Sequence, residues 1–131
     1  WIPSGIPLVH YRYTTSTSLT FGVLRNTIDV ANYAPGGVIT PLGGGAGTSS
    51  IHRVYLIASN NAVDQLVIQY GNTSYSTLAA AAAAIGAGTF VPNSMLSDAA
   101  LIAFVVATRV ATDLSNATHA TIVNAGKFPT P

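Results

Sequence analysis

The feature that most constrains the fold is a pair of strand-type segments joined by a short polar linker. Residues 52–58 (HRVYLIA) and 65–70 (QLVIQY) are rich in β-branched and aromatic side chains, and residues 59–64 between them contain Asn60 and Asn61. β-Branched and aromatic residues favour strands, and asparagine favours the turns that connect them. The pattern therefore predicts a β-hairpin at the centre of the chain.

Other segments also favour strands. Residues 101–109 (LIAFVVATR) form a nearly continuous apolar run, which is typical of a strand covered on both faces. Residues 8–13 and 19–24 have strand composition as well. Between residues 32 and 48 the glycines and prolines predict a loop, interrupted at most by a short strand at 38–40.

One helix is predicted in the Ala-rich stretch. Ser76 is placed to cap a helix that runs from Thr77 through the alanines to Ile85, and Gly86 is placed to end it. This helix carries almost no large side chains, so it can lie close against a sheet or a symmetry-related copy.

A second, shorter helix is predicted near the C-terminus. Asp113 or Ser115 can cap it, and Leu114, Thr118 and Ile122 follow at helical spacing. Together these elements predict a mainly-β fold, an antiparallel β-sandwich-like single domain over residues 1–131 with one Ala-rich helix and a short C-terminal helix. The α+β class is the alternative.

The chain is unusually poor in charge. Lys and Arg number 5 and Asp and Glu number 4, so charged residues make up 7% of the 131 residues, against about 25% in an ordinary domain. Subunit interfaces are depleted of charge, so this composition favours an oligomer. The positively charged residues are scattered and form no basic stripe that would bind nucleic acid. The sequence has no run of about 18 apolar residues, so no membrane-spanning segment is predicted.

The carboxylates do not form an evident catalytic pair. Asp29, Asp64, Asp98 and Asp113 lie far apart in the sequence, and capping and turn roles account for the last three. A glycosidase would need two acids held at a fixed separation across its substrate. We therefore predict no catalytic residue and no enzymatic activity.

Metal and nucleophile chemistry is likewise not indicated. The chain has no cysteine, and His10, His52 and His119 show no metal-ligand spacing, although a threefold axis could collect copies of His10 or His52. Asp113, Ser115 and His119 are the residue types of a hydrolase triad, but their spacing is that of a helix N-terminus and there is no Gly-x-Ser-x-Gly motif. We predict no metal site and no cofactor.

Two further features concern binding. The glycine run at residues 43–47 lacks the Gly-Lys-Ser/Thr ending of a phosphate loop and is read as a flexible connection. Tyrosine rings can stack on sugars, and the candidates are Trp1, Tyr11, Tyr13, Tyr33, Tyr55, Tyr70 and Tyr75. The sequence alone assigns no residue to a binding site.

A series of segments follows a recognisable order along the chain. It comprises NYAPGGVIT at 32–40, VYLI at 54–57, LVIQYG at 66–71, YSTL at 75–78 before the alanines, LIAFVV at 101–106, ATDLS at 111–115 and AGKF at 125–128. From about residue 19 to 128 the sequence thus resembles a domain found in tail fibre and baseplate-associated proteins of tailed bacteriophages.

The resemblance implies a virion component of a phage tail, located outside the cell. Members of that group are commonly trimeric, link parts of the tail or present a receptor-binding surface, and share no catalytic residues. The expected partners are two further copies of the chain in a homotrimer, other phage tail proteins, and a bacterial surface glycan or protein. The loops at residues 32–48 and 59–64 are the expected exposed ones.

Two other functions remain open on the sequence. The chain could be a carbohydrate-binding or adhesin domain of a secreted bacterial protein. It could also be a hydrolytic tailspike domain, which would require two of the four aspartates to converge in a groove.

Overall fold

The structure is a computed structural model that describes residues 11–16, 24–25, 27–56, 66–86, 90 and 92–125. Within these residues it contains eight strands and one α-helix. The strands are β1 (Tyr11–Thr14), β2 (Leu24–Arg25), β3 (Asn32–Tyr33), β4 (Thr40–Pro41), β5 (Ser49–Leu56), β6 (Leu66–Gln69), β7 (Ala100–Thr108) and β8 (Ala120–Asn124). The helix is α1 (Leu78–Ala83), and short 3-10 turns lie at Pro35–Gly37 and Ser94–Leu96.

Six of the strands form one sheet in the order β2-β1-β6-β5-β7-β8. All neighbouring pairs are antiparallel except β1 and β6, which run parallel. The strands β3 and β4 form a separate antiparallel ribbon, called here the β3–β4 ribbon. The mainly-β class is confirmed, and the sheet is mixed because of its one parallel pair.

The predicted hairpin and the apolar run form the centre of this sheet. β5 pairs with β6 from Arg53 opposite Gln69 to Leu56 opposite Leu66, and β7 lies along the other side of β5. The residues that connect β5 to β6 lie outside the described part of the chain. Both predicted strands and the strand at 101–109 are confirmed, the last beginning at Ala100 and ending at Thr108.

Side chains alternate between the two faces of the sheet. The first face carries a cluster that includes Tyr13, Val54, Ile68, Tyr70 and Val105. The second face carries Ile51 and Val106 at one end and Tyr55, Val67 and Leu101 at the other. The core therefore lies on both sides of the central strands.

Different elements cover the two faces. The segment at residues 27–34, called here the cover segment, packs Ile28 and Ala34 on the first face and Val30 beside Ala107. On the second face α1 packs its fully buried Ala81 against Ile51 and Val106. The small alanine lets the helix backbone approach the sheet closely, as the sequence predicted.

The helix begins at a different cap from the expected one. Thr77, not Ser76, is the N-cap, and its Oγ1 accepts a hydrogen bond from the Ala80 N–H at 3.0 Å. The helix ends at Ala83, so it is shorter than predicted. Gly86 has a φ of +83°, a left-handed conformation that glycine adopts without strain and that stops the helical path.

The prediction of a C-terminal helix is wrong. Asp113 and Asn116 make local turns instead, and residues 120–124 form β8, which pairs with β7 from Ala107 opposite Ala120 to Ala103 opposite Asn124. Leu114, Thr118 and Ile122 do have helical spacing, but the run Thr121–Val123 is entirely β-branched and β7 offers it a ladder of backbone hydrogen bonds. Pairing with the sheet overrides the spacing.

The remaining strand predictions are partly met. The strand expected at residues 8–13 appears as β1, which begins at Tyr11 within the described residues. Of the strand expected at 19–24, only its last residue belongs to the described part, as the start of β2. The short strand at 38–40 is displaced to Thr40–Pro41, and Val38 and Ile39 lie in the exposed turn of the β3–β4 ribbon.

Candidate functional site

The most concentrated group of polar side chains lies beneath the cover segment. The Asp29 carboxylate, 8% exposed, accepts a hydrogen bond from the Tyr70 hydroxyl at 2.7 Å and from the Asn32 amide at 2.9 and 3.1 Å. The Ala31 N–H donates to the same carboxylate at 3.2 Å. These bonds from described residues hold the buried carboxylate and satisfy it as a structural anchor.

Tyr13 extends this group, called here the Asp29 cluster. Its hydroxyl accepts a hydrogen bond from the Asp29 N–H and donates one to the Thr27 carbonyl at 3.0 Å. The rings of Tyr13 and Tyr70 lie 5.0 Å apart between centroids. The Tyr13 hydroxyl thus holds the backbone of the cover segment, and the Tyr70 hydroxyl holds the Asp29 carboxylate.

His52 lies beside the Asp29 cluster on the same face. Its ring meets Tyr70 edge-on at 5.9 Å and is fully buried, and neither ring nitrogen has a hydrogen-bond partner among the described residues. Burial lowers the pKa of His52 to about 4, against a smaller upward effect of Asp29 and a further downward effect of Arg53. The imidazole is therefore neutral at pH 7.

A second polar group closes the end of β1 and β6. The Asn93 amide donates to Thr14 Oγ1 at 2.8 Å and to the Thr15 carbonyl at 2.7 Å, and the Asn93 N–H donates to Gln69 Oε1 at 3.0 Å. All four residues are buried. These bonds attach the segment around Asn93 to the sheet. They also give these four buried polar residues hydrogen-bond partners.

Arg53 places a cation among aromatic rings on the second face. Its guanidinium lies 3.5 Å from the centroid of Phe90 and 5.5 Å from that of Phe104. Burial lowers the pKa of Arg53 below its ordinary value, and stacking on aromatic faces stabilises the charge it retains. Phe90 and Arg53 were not singled out by the sequence, because only folding brings these distant residues together.

The residues of the apparent hydrolase triad do not form one. Ser115 donates its hydroxyl to Asp113 Oδ1 at 2.7 Å, and the Ser115 N–H donates to the same oxygen at 2.9 Å. These bonds hold the pKa of Asp113 below its usual range. A triad needs the serine hydroxyl directed at the histidine, whereas His119 contacts Asn116 at 3.5 Å. The arrangement is a turn that leads into β8.

The other candidate residues are dispersed. Among the described aspartates, Asp29 is buried, whereas Asp98 and Asp113 are exposed. His10 and Asp64 lie outside the described residues, as does the loop at 59–64. Among the residues that the structure does describe, no three His, Asp or Glu side chains are grouped to hold a metal ion.

The loop expected at residues 32–48 supplies the most exposed apolar side chains of the described surface. Val38 is 68% exposed and Ile39 is 50% exposed. The base of this loop is fixed, because Leu42 is buried and its carbonyl accepts a hydrogen bond from Arg109 Nε at 2.8 Å. We call Val38, Ile39 and their neighbours Gly36 and Gly37 the ribbon tip.

Three of the tyrosines expected as stacking faces are buried and not available for stacking. Tyr13, Tyr55 and Tyr70 are buried, whereas Tyr33 and Tyr75 are half-buried. The side chains of Trp1 and Tyr11 lie outside what the structure describes. Tyr13, Tyr55 and Tyr70 thus serve packing, and Tyr13 and Tyr70 also belong to the Asp29 cluster.

Comparisons with known proteins found no match. No family model matches the chain, and no curated protein or solved structure matches it. Within the described residues, no helix has the length and apolar character needed to cross a membrane.

Proposed function

We propose that this chain is a structural module of a bacteriophage tail fibre or related tail appendage, assembled as a homotrimer, that contributes to host attachment. The observation that carries the proposal is the ribbon tip. It exposes Val38 and Ile39 in a stretch with no charged residue between Asp29 and Arg53. An exposed apolar and uncharged surface is suited to burial against protein partners.

The buried polar groups support a mechanical role. The Asp29 cluster and the Asn93 group use their hydrogen-bonding capacity to attach irregular segments to the sheet. On this proposal the other partners are further tail proteins and a bacterial surface glycan or protein, and the chain is located in the virion. The resemblance of residues 19–128 to a domain of phage tail proteins supports placing the module in a phage tail.

The alternative is a carbohydrate-binding or adhesin domain of a secreted bacterial protein. Such a domain commonly presents aromatic faces to sugar rings. The burial of Tyr13, Tyr55 and Tyr70 removes three of the available rings from that use. The observations therefore favour the structural module over a tyrosine-based sugar site.

The first test is the solution mass of the chain by light scattering after size exclusion. The proposal predicts about three times 13.4 kDa, and Val38→Lys together with Ile39→Lys should lower that mass by placing charge in the interface. The matched control is Val110→Lys, because Val110 is 39% exposed and lies outside the ribbon tip. A monomeric wild-type chain would contradict the trimer.

A glycan array of bacterial surface polysaccharides separates the remaining possibilities. A trimer that binds a glycan, and loses binding in the ribbon-tip variant but not in the Val110 control, supports host attachment through this surface. A trimer without glycan binding narrows the role to contacts with tail proteins or a protein receptor. A monomer that binds a glycan supports the carbohydrate-binding alternative.

A further inference from the structure

β8 forms one edge of the six-stranded sheet. β8 is the last strand in the sheet order, and among the described strands it pairs only with β7. Ile122 at its centre is 40% exposed. Within the described part of the chain, no strand occupies the outer side of β8.

The hydrogen bonds at the two ends of the β7–β8 pair show which backbone groups face outward. The Thr108 N–H donates to the His119 carbonyl at 2.9 Å, and the Ala125 N–H donates to the Ile102 carbonyl at 3.0 Å. In an antiparallel pair, residues that bond to the neighbouring strand alternate with residues that do not. Residues 121 and 123 therefore bond to β7, whereas residues 122 and 124 direct their N–H and C=O groups away from the sheet.

This edge lacks the usual protection against pairing. Natural edge strands are commonly guarded by lysine, proline or a bulge. The β8 sequence ATIVN has no charge and no proline, and its register with β7 is continuous. Its three central residues are β-branched and favour an extended backbone. These properties suit β8 to accept a further strand.

We propose that β8 pairs antiparallel with β8 of a second copy of the chain, about a twofold axis at Ile122. Residue 122 then lies opposite residue 122, and residue 120 lies opposite residue 124. Ile122, the centre of the five-residue strand, exchanges two backbone hydrogen bonds across the axis, and its exposed side chain meets its counterpart.

The second copy is favoured over another partner because the strand is complementary to itself. In this register each outward N–H of one copy faces an outward carbonyl of the other. Like charges directly opposite each other destabilise a strand pair, and no residue of β8 is charged. With a net charge of +1 for the whole chain, little long-range repulsion opposes the approach of two copies.

This contact is independent of the proposed trimer. It joins two single chains into a dimer, or two trimers into a hexamer, because a twofold axis and a threefold axis can coexist in one closed assembly. The two proposals therefore make separate predictions about mass.

The test uses opposite charges at the axis. Ile122→Lys and Ile122→Asp each place like charges opposite each other in the self-pair, so each variant should show half the wild-type mass by light scattering. An equimolar mixture of the two places opposite charges at the axis and should restore the wild-type mass. Val110→Lys, at an equally exposed position away from the β8 edge, should leave the mass unchanged.

Several outcomes overturn the proposal. These are a wild-type chain that is monomeric, a mass unchanged in both Ile122 variants, and a mixture that does not recover the wild-type mass. A trimer insensitive to Ile122→Lys would overturn the β8 contact and leave the trimer standing.

A second measurement needs no substitution. Amide hydrogen exchange of the wild-type chain should show protection of the Ile122 and Asn124 N–H groups that rises with protein concentration. Exchange at these two amides that is fast at every concentration would also overturn the proposal, even if the variants failed to fold.

Discussion

The two faces of the sheet are covered by opposite means. On the first face the cover segment, which is irregular before β3, is held by the buried Asp29 carboxylate and two tyrosine hydroxyls. On the second face α1 is held by the packing of Ala81 against Ile51 and Val106, with no comparable polar anchor in the described contacts. The comparison shows that the part of the cover segment before β3 needs specific side-chain partners, because its backbone groups are not paired in a helix or sheet.

The two covers should therefore fail in different ways. A buried polar cluster is sensitive to the loss of one partner, because the remaining groups lose their hydrogen bonds without regaining water. An apolar contact is sensitive to volume and depends little on pH. The four predictions below use this difference, in order of decreasing effect.

Asp29→Ala should cause the largest loss of stability. It leaves the Tyr70 hydroxyl, the Asn32 amide and the Ala31 N–H without their acceptor, which should lower the free energy of unfolding by about 4 kcal/mol. Urea denaturation measures this value. Asp98→Ala, at an exposed aspartate, is the control and should change it by about 0.5 kcal/mol or less. Equal effects of the two substitutions would remove the special role of the Asp29 cluster.

Acid should lower the free energy of unfolding by protonating His52 on the first face. The pKa of His52 is about 4 in the folded chain and about 6.5 in an unfolded one. The unfolded state therefore binds the proton first as the pH falls. The contribution of neutral His52 to the free energy of unfolding is full above pH 6.5 and declines between pH 6.5 and 4. The loss over that window is about 3 kcal/mol.

His52→Leu tests this assignment. Leucine does not titrate and has a similar volume, so the variant should keep the wild-type stability at pH 7 within about 1.5 kcal/mol. Urea denaturation at pH 7, 5 and 4 should show a much smaller decline in the variant than in the wild type. An identical decline in both would assign the acid sensitivity to other groups.

Ala81→Leu should disrupt the second face by overpacking. Ala81 is fully buried between α1 and the sheet, and extra methylene groups there should lower the free energy of unfolding by about 2 kcal/mol. Ala80→Leu on the exposed side of the same helix should change it little. Thermal unfolding monitored by circular dichroism measures both, and a neutral Ala81→Leu would mean that the helix is loosely packed.

Thr77→Ala should give the smallest effect. It removes the side chain that accepts the Ala80 N–H, and loss of such a cap costs about 1 kcal/mol. Ser76→Ala, at the cap that the sequence favoured, should be nearly neutral. The same thermal unfolding experiment decides between the two positions, and a larger effect at Ser76 would reverse the cap assignment.

The strands were predictable where local pattern and tertiary environment agree. The hairpin strands and β7 are apolar and bordered by turn residues, so their local sequence pattern predicts the same strands that the structure contains. The C-terminal segment was mispredicted because its helical spacing competes with the pairing offered by β7. The cap of α1 was misplaced by one residue because Ser76 and Thr77 are chemically equivalent as caps.

The polar clusters were not predictable in the same way. Asp29 and Tyr70 are 41 residues apart, and Asn93 and Thr14 are 79 residues apart. Nothing local to any of these residues indicates its partner. Asp29 was considered only as a possible catalytic acid, and the structure gives it an anchoring role.

The sequence by itself determined the mainly-β class, the central hairpin, the apolar strand beside it and the Ala-rich helix, because hydrophobic pattern and turn composition act over a few neighbouring residues. Only the tertiary structure decided that residues 120–124 join the sheet, that Asp29 and His52 are buried together, and that β8 is the edge strand of the described sheet. The physical reason is that strand pairing and burial depend on residues far apart in the chain, whose proximity is set by folding.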